Sequence, residues 1–266
     1  MEFFMKFGMP TLCECKNIFE CSIAARARGL DFVEINMSFP EYQPGMLDAD
    51  ELVKISRETG IAYTIHADEM LNPFDFNDSV SECYFGVMRD TIRLAKAVGA
   101  YVVNMHLLRG VYVTLPDRVV LLCDLYADKY RNRAQQFIKM CEDEIGDADL
   151  KIAIENVDSN PFTKSQLAVL PLFMSSPVFA LTLDTGHEYC LDYADTPLFC
   201  EYREKLFHLH LHDARGKSAH LPLGTGEVDI LGKLSLLPSD KSCLIEVKTL
   251  AGLDASIAYL KERKIM

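Results

Sequence analysis

One pattern recurs three times in the first hundred residues. A segment of helix-forming residues stops at a glycine, and an apolar, β-rich run follows at once: Gly29 precedes LDFVEI, Gly60 precedes IAYTIH and Gly99 precedes AYVVNM. Glycine is the usual left-handed terminator of a helix, so each junction reads as helix, stop, strand. Helix starts are marked as well, since Asp48 with Glu51 and Ser79 with Glu82 have the spacing of a capping box, and Pro116 suits a first helical turn. Further β-rich runs lie at 151–156, 178–184, 206–212 and 243–248, and an opening strand is expected over Lys6 to Met9. Eight strands alternating with helical segments over about 250 residues is the rhythm of a (β/α)8 TIM barrel. No linker, low-complexity stretch or shift of composition interrupts residues 1–266, which therefore read as one domain. A doubly wound open sheet is the alternative, but no G-x-G-x-x-G follows the first strand, and Gly224-Thr225-Gly226 is too short and too late to serve. The stretch from Leu115 to Ile145 reads as helix-rich, with Tyr126, Tyr130 and Phe137 assigned to the core.

Composition narrows the function classes. With 49% apolar and 25% charged residues, the 266-residue chain is an ordinary folded globule. Its formal net charge of −12, without a basic stripe, makes nucleic acid an unpromising partner. The N-terminal MEFFMKFGMPTLCEC lacks the apolar core and cleavage site of a secretory signal, and no later run approaches the ~18 apolar residues of a membrane span, so a cytoplasmic protein without membrane attachment is expected. Nine cysteines with no C-x-x-C pair suit reduced, mostly buried thiols.

The polar residues carry the functional signal. All seven histidines fall between 66 and 220, most at or just past a strand end: His66, His106, His187, and His208, His210 and His212 alternating along LFHLHLH, with His220 in the next loop. Glu34, Glu155, Asp184 and Glu246 also sit late in their strands. Side chains alternate faces with a period of two, and each of these groups shares a face with small or polar residues, opposite a greasy face suited to the surrounding helices. His66 goes with Thr64, Asp184 with Thr182, and Glu155 with Ala153. In a (β/α)8 barrel these strand ends converge on one mouth. His208, deeper in its strand, reads as a structural histidine; His212 falls at the strand end and its role stays open; Glu34 is as well explained by an arginine partner as by a site.

Several carboxylates aimed at one mouth need a cation. Glu155, Asp184, His210 and Glu246 would offer three oxygen ligands and one nitrogen, a hard set suited to one Mn²⁺, Mg²⁺ or Co²⁺, with Zn²⁺ also accommodated. A metal so placed binds adjacent oxygens of a hydroxy-ketone, acidifies the carbon between them and stabilises the enediolate, while a neighbouring carboxylate moves the proton.

The segments IHAD (65–68), NMH (104–106), IEN (154–156), LDTGH (183–187), HLHD (210–213), HLPLGTGEVD (220–229) and IEV (245–247) together resemble the xylose isomerase-like TIM-barrel superfamily. That group includes sugar and sugar-phosphate isomerases, ketose 3-epimerases, inosose dehydratases and type IV apurinic endonucleases. In its epimerase branch the resemblance implies Glu155, Asp184, His210 and Glu246 as metal ligands, Glu155 and Glu246 as the acid/base pair, and His187 and Arg215 as binders of substrate hydroxyls. In its endonuclease branch it implies His66, His106 and Glu155 around one zinc, the four-residue set around a second, and His187 at a third. That branch completes its third site with Asp-x-His, where this chain reads Ser218-Ala219-His220 and lacks the carboxylate.

The expectation is therefore a metal-dependent sugar or sugar-phosphate isomerase/epimerase with a small-molecule sugar as partner. A two- or three-zinc phosphoesterase is the alternative, in which His66 and His106 bind a second metal instead of substrate. A barrel that only binds sugar or stores metal would not need both Glu155 and Glu246. Homo-oligomer formation is left open by the sequence.

Overall fold

The computed structural model describes residues 5–266. Strands β1 (Lys6–Pro10), β2 (Phe32–Asn36), β3 (Ala62–His66) and β4 (Val102–His106) are followed by a hairpin of β5 (Tyr112–Thr114) and β6 (Val119–Leu121). Then come β7 (Lys151–Glu155), β8 (Phe179–Asp184), β9 (Leu206–Leu211), a second hairpin of β10 (Asp213–Arg215) and β11 (Ser218–Leu221), and finally β12 (Ser242–Ile245). Eight of these close a barrel in the order β1-β12-β9-β8-β7-β4-β3-β2, with every pairing parallel. The chain is thus the expected α/β TIM barrel. The long outer helices are α1 (Ile18–Ala27), α2 (Ala49–Thr59), α3 (Asp78–Val98), α5 (Ala127–Ile145), α6 (Lys164–Ser175) and α10 (Leu250–Glu262). Three short ones, α4 (Leu122–Leu125), α7 (Thr185–Cys190) and α8 (Thr196–Glu201), lie among them, and α9 (Ile230–Leu234) precedes the last strand.

The glycine stops are where the pattern placed them, with φ of 74° at Gly60, 71° at Gly99 and 73° at Gly29, one residue beyond the cap of α1. Asp48 caps α2 by accepting from the Asp50 and Glu51 amides. Two expectations are corrected. Asn77, not Ser79, caps α3, because Asn77 Oδ1 reaches the Ser79 and Val80 amides and so moves the helix start back by two residues. Pro116 opens no helix; it sits in the turn joining β5 to β6, where Leu115 N–H donates to Arg118 C=O at 2.8 Å, so the start of the helix-rich stretch is a ribbon. Tyr130 and Phe137 are core, 2% and 0% exposed, whereas Tyr126 is 54% exposed against Phe76.

Register sorts the barrel interior into layers. At its floor Gly8 leaves room for the Phe32 ring, whose Cε2 would lie 2.3 Å from any Cβ there. Above it, Glu34 pairs in register with Thr64, Thr182 with His208, and Ser242 with His208. The next layer holds His66 beside Asn104, His106 beside Glu155, and Asp184 beside His210. The outward residues of the same strands, such as Tyr63, Ile65, Ile152, Ile154, Leu181, Leu183, Leu209 and Leu211, are buried under the helices.

Candidate metal centre

The upper layers of the barrel and the loops just beyond them bring four carboxylates and seven histidines to its carboxyl end. Donor atoms of Glu155, Asp184, His210 and Glu246 lie within 4.8 Å of one another, as do those of His66, His106 and Glu155, of Glu34, His208 and His210, and of His187, His212 and His220. Glu155 is shared by two of these sets and His210 by two, so the first three form one connected centre, and His187, His212 and His220 form a separate group beside it. Glu155, Asp184 and His210 are at most 1% exposed.

His210 Nδ1 faces Glu155 Oε1 at 3.1 Å and Glu246 Oε2 at 3.0 Å. Its Nε2 lies 3.0 Å from Glu34 Oε1. Glu34, for which an arginine partner was an equal expectation, is instead held by His210, by His208 Nε2 at 3.4 Å and by the Thr64 hydroxyl, which donates to Oε2 at 2.8 Å. His208 is anchored in turn by the Ser242 hydroxyl at 2.6 Å, as suits a structural histidine. With an ion bound, the Glu34 carboxylate beside Nε2 would keep the ring proton there and leave the Nδ1 lone pair for the metal, the usual way a protein orients a metal-binding imidazole.

Other rings are fixed by backbone carbonyls. His66 Nδ1 lies 2.7 Å from Ala67 O, His187 Nδ1 3.2 Å from Asn156 O and His220 Nδ1 3.3 Å from Glu246 O. A carbonyl only accepts, so the proton of each neutral ring sits on Nδ1 and the lone pair on Nε2. His66 Nε2 and His106 Nε2 both approach Glu155 Oε2, at 3.3 and 3.4 Å.

Electrostatics follow from this crowding. Burial alone would raise the Glu155 carboxyl, but the imidazoles of His210 and His106 outweigh it and hold it well below its usual range. Glu246 likewise is raised by burial and brought well below by His210 and Lys248, whose Nζ lies 2.9 Å from Oε1. Burial lowers the basicity of His66, and Glu155 more than reverses this, taking it up to about 9. His220, desolvated with less compensation, is brought down to about 4.

The donor set fits a divalent cation. Glu246 Oε2 is buried without a well-aligned hydrogen-bond donor although His210 Nδ1 lies 3.0 Å away, so two donor atoms for a cation sit side by side. A cation between them satisfies both.

The structure collects every histidine and carboxylate singled out from the sequence. Arg215 is the exception: its side chain, 64% exposed, donates to the Thr225 carbonyl at 2.7 Å and lies 3.7 Å from Glu227. Residues not singled out also contribute. Asn104 Nδ2 donates to Glu155 Oε2. Asn156 and Asp184 exchange hydrogen bonds of 3.0 and 2.9 Å that align adjacent strand ends. Asp213 accepts the amides of Gly224, Gly226 and Val228, folding the 222–229 loop around one carboxylate. Each of the three lies inside a quoted segment; the available signal was a polar residue just past a strand end for Asn156 and Asp213, and one on the inner face of its strand for Asn104.

No curated protein matches the chain by sequence. Among solved structures, a D-tagatose 3-epimerase-like protein superposes with TM-score 0.73 at 24% identity, over 97% of this chain and 96% of that one. The 3-keto-D-glucoside 4-epimerase YcjR from E. coli gives 0.75 at 15%, over 98% and 100%. Endonuclease IV from Thermus thermophilus gives 0.67 at 17%, over 97% and 99%. The family profile of the xylose isomerase-like TIM barrel matches residues 22–263, nearly the whole described barrel, and the chain belongs to that family.

Proposed function

We propose that the protein is a divalent-metal-dependent isomerase or epimerase of a sugar or sugar phosphate, acting through an enediolate with Glu155 and Glu246 as its acid/base pair. The observation that carries this is the meeting of those two carboxylates on one ring nitrogen, His210 Nδ1, from strand ends separated around the barrel by β8 and β9. Glu155, Asp184, His210 and Glu246 would hold the ion, which when bound supplies Lewis-acid polarisation of a substrate carbonyl. One glutamate takes the proton from the carbon beside the carbonyl, and the other returns a proton. Return to the opposite face of the same carbon inverts it; return to the neighbouring carbon interconverts aldose and ketose. His187 Nε2 is free to bind a substrate hydroxyl, and Arg215 would do so by leaving Glu227. All nine cysteines are free thiols, and among the described residues no helix is long and apolar enough to cross a membrane. Free thiols suit the expected place in the cytoplasm, and a sugar substrate would put the reaction in carbohydrate metabolism.

One observation favours a second reading. The convergence of His66 and His106 Nε2 on Glu155 Oε2 is what a second ion would use, and two ions about 3.5–4 Å apart serve phosphoester hydrolysis. Glu155 would then be a bridge instead of an acid/base group. The experiment that separates the readings is incubation of the metal-loaded protein with a panel of ketoses and sugar phosphates in D2O. Deuterium entering the carbon beside the carbonyl, and lost in E155Q and E246Q, supports proton transfer; release of phosphate or cleavage of phosphodiesters without exchange supports hydrolysis.

A further inference from the structure

His187, His212 and His220 place ring nitrogens within 4.8 Å of one another and have the look of a three-nitrogen metal site. We infer that His212 is instead a positioning residue for Asp184, holding that carboxylate toward the ion of the four-residue centre; the inference rests on the metal-site reading above. Two backbone groups meet His212 Nδ1, the His220 N–H, which donates to it at 2.8 Å, and the Asp213 carbonyl at 3.2 Å, and the closer amide decides the tautomer. An amide only donates, so Nδ1 holds the lone pair, and the one proton of the neutral ring is on Nε2, 2.9 Å from the Asp184 carboxylate. No lone pair of His212 is left for a cation. The rings of His212 and His220 also lie side by side, 4.2 Å apart and tilted by 35°, instead of converging on a point.

The backbone is shaped for this ring. A Cβ on Gly186 would lie 2.1 Å from His212 Cε1, so only glycine lets α7 pass that close. Thr185 Oγ1 exchanges hydrogen bonds of 3.0 and 3.3 Å with the His212 carbonyl and amide. His220 adopts φ of 57°, left-handed for a residue with a side chain, and this conformation accompanies the aim of its N–H at His212. Asp184 meanwhile accepts the His187 amide at 2.7 Å through Oδ1, so His212 and that amide together fix the carboxylate plane.

The test is a titration of the full chain with Zn²⁺, for wild type, H212F and H212Q. H212F keeps a ring without a donor and is expected to weaken the tightest ion about 10–100-fold with the number of bound ions unchanged. H212Q, whose amide can donate to Asp184, is expected to recover most of that loss. A loss of one bound ion with the tightest left untouched, or wild-type affinity in both variants, overturns the inference. Nitrogen NMR of wild type loaded with ¹¹³Cd²⁺ tests it without substitution: a protonated His212 Nε2 uncoupled from cadmium is expected, and cadmium coupling to His212 overturns it. A wild type that binds no ion sinks the metal-site reading itself, and the inference with it.

Discussion

Glu34→Gln isolates the electrostatic design of the centre with little change of shape. Glu34 Oε2 accepts from the Thr64 hydroxyl at 2.8 Å, and Oε1 faces His210 Nε2 at 3.0 Å. In the variant the amide oxygen stays with Thr64 and the NH2 group turns to His210. Two donors then oppose each other, which is relieved when the ring proton moves to Nδ1 and Nε2 becomes the acceptor. The His210 lone pair is thereby turned away from Glu155 and Glu246, and the centre loses its nitrogen ligand. Loss of such a supporting carboxylate weakens metal binding by about 10–100-fold, or ~1.4–2.7 kcal/mol. Alanine would confound the result, because removing one member of a buried charged set also costs about 3–5 kcal/mol of stability. The assay is competition with a chelator of known affinity, with near-UV circular dichroism confirming the fold. A folded E34Q that binds the ion as tightly as wild type would show that Glu34 does not orient the His210 ring.

Further outcomes follow from the same geometry. E155Q and E246Q should each lower turnover by about 10²–10⁴-fold, as expected for loss of a general acid or base, with melting temperatures checked in parallel. Ser218→Ala should leave metal content and turnover near wild type, since the exposed Ser218 is no part of the connected centre, and elemental analysis with a rate assay checks this. Metal binding should release protons and tighten with rising pH, because His210, raised well above its ordinary value, must lose its second proton to coordinate; calorimetry in buffers of different ionisation enthalpy reads the release. For the metal-free protein the signs are opposite for the two residue types. The raised His66 stabilises fully below about 6.5 and loses its contribution as pH rises through about 9, while the depressed Glu155 and Glu246 stabilise above about 4.5 and lose theirs in acid. Melting temperature should therefore be highest between those limits.

The barrel and its polar face were legible because both rest on short-range periodicity. Period-two alternation alone puts Thr64 with His66 and Thr182 with Asp184 on the inner face, and the register bears out those layers. Local chemistry was read less well where two nearby residues compete for one role: Asn77 and Ser79 both suit a helix cap, and the aim of the Asn77 side chain decided between them. Pro116 fits a helix start and a turn equally, and the Leu115 to Arg118 hydrogen bond selected the turn. Contacts across the barrel were not legible at all. Glu34 on β2 meets His210 on β9 through the interior, where no spacing along the chain records the encounter, so its partners are histidines and not an arginine. His212 lay open for a related reason: its role depends on a hairpin that folds back to deliver the His220 amide.

Every step proposed for the centre depends on one divalent ion among Glu155, Asp184, His210 and Glu246. Crystals of protein purified without chelator, measured at the absorption edges of Mn, Co and Zn and paired with elemental analysis, would locate it. An anomalous peak within coordination distance of all four side chains is expected, as is its loss when Asp184 is replaced by asparagine. A metal-bearing protein with no peak at that position, or purified and metal-supplemented protein that carries no ion, would rule that ion out.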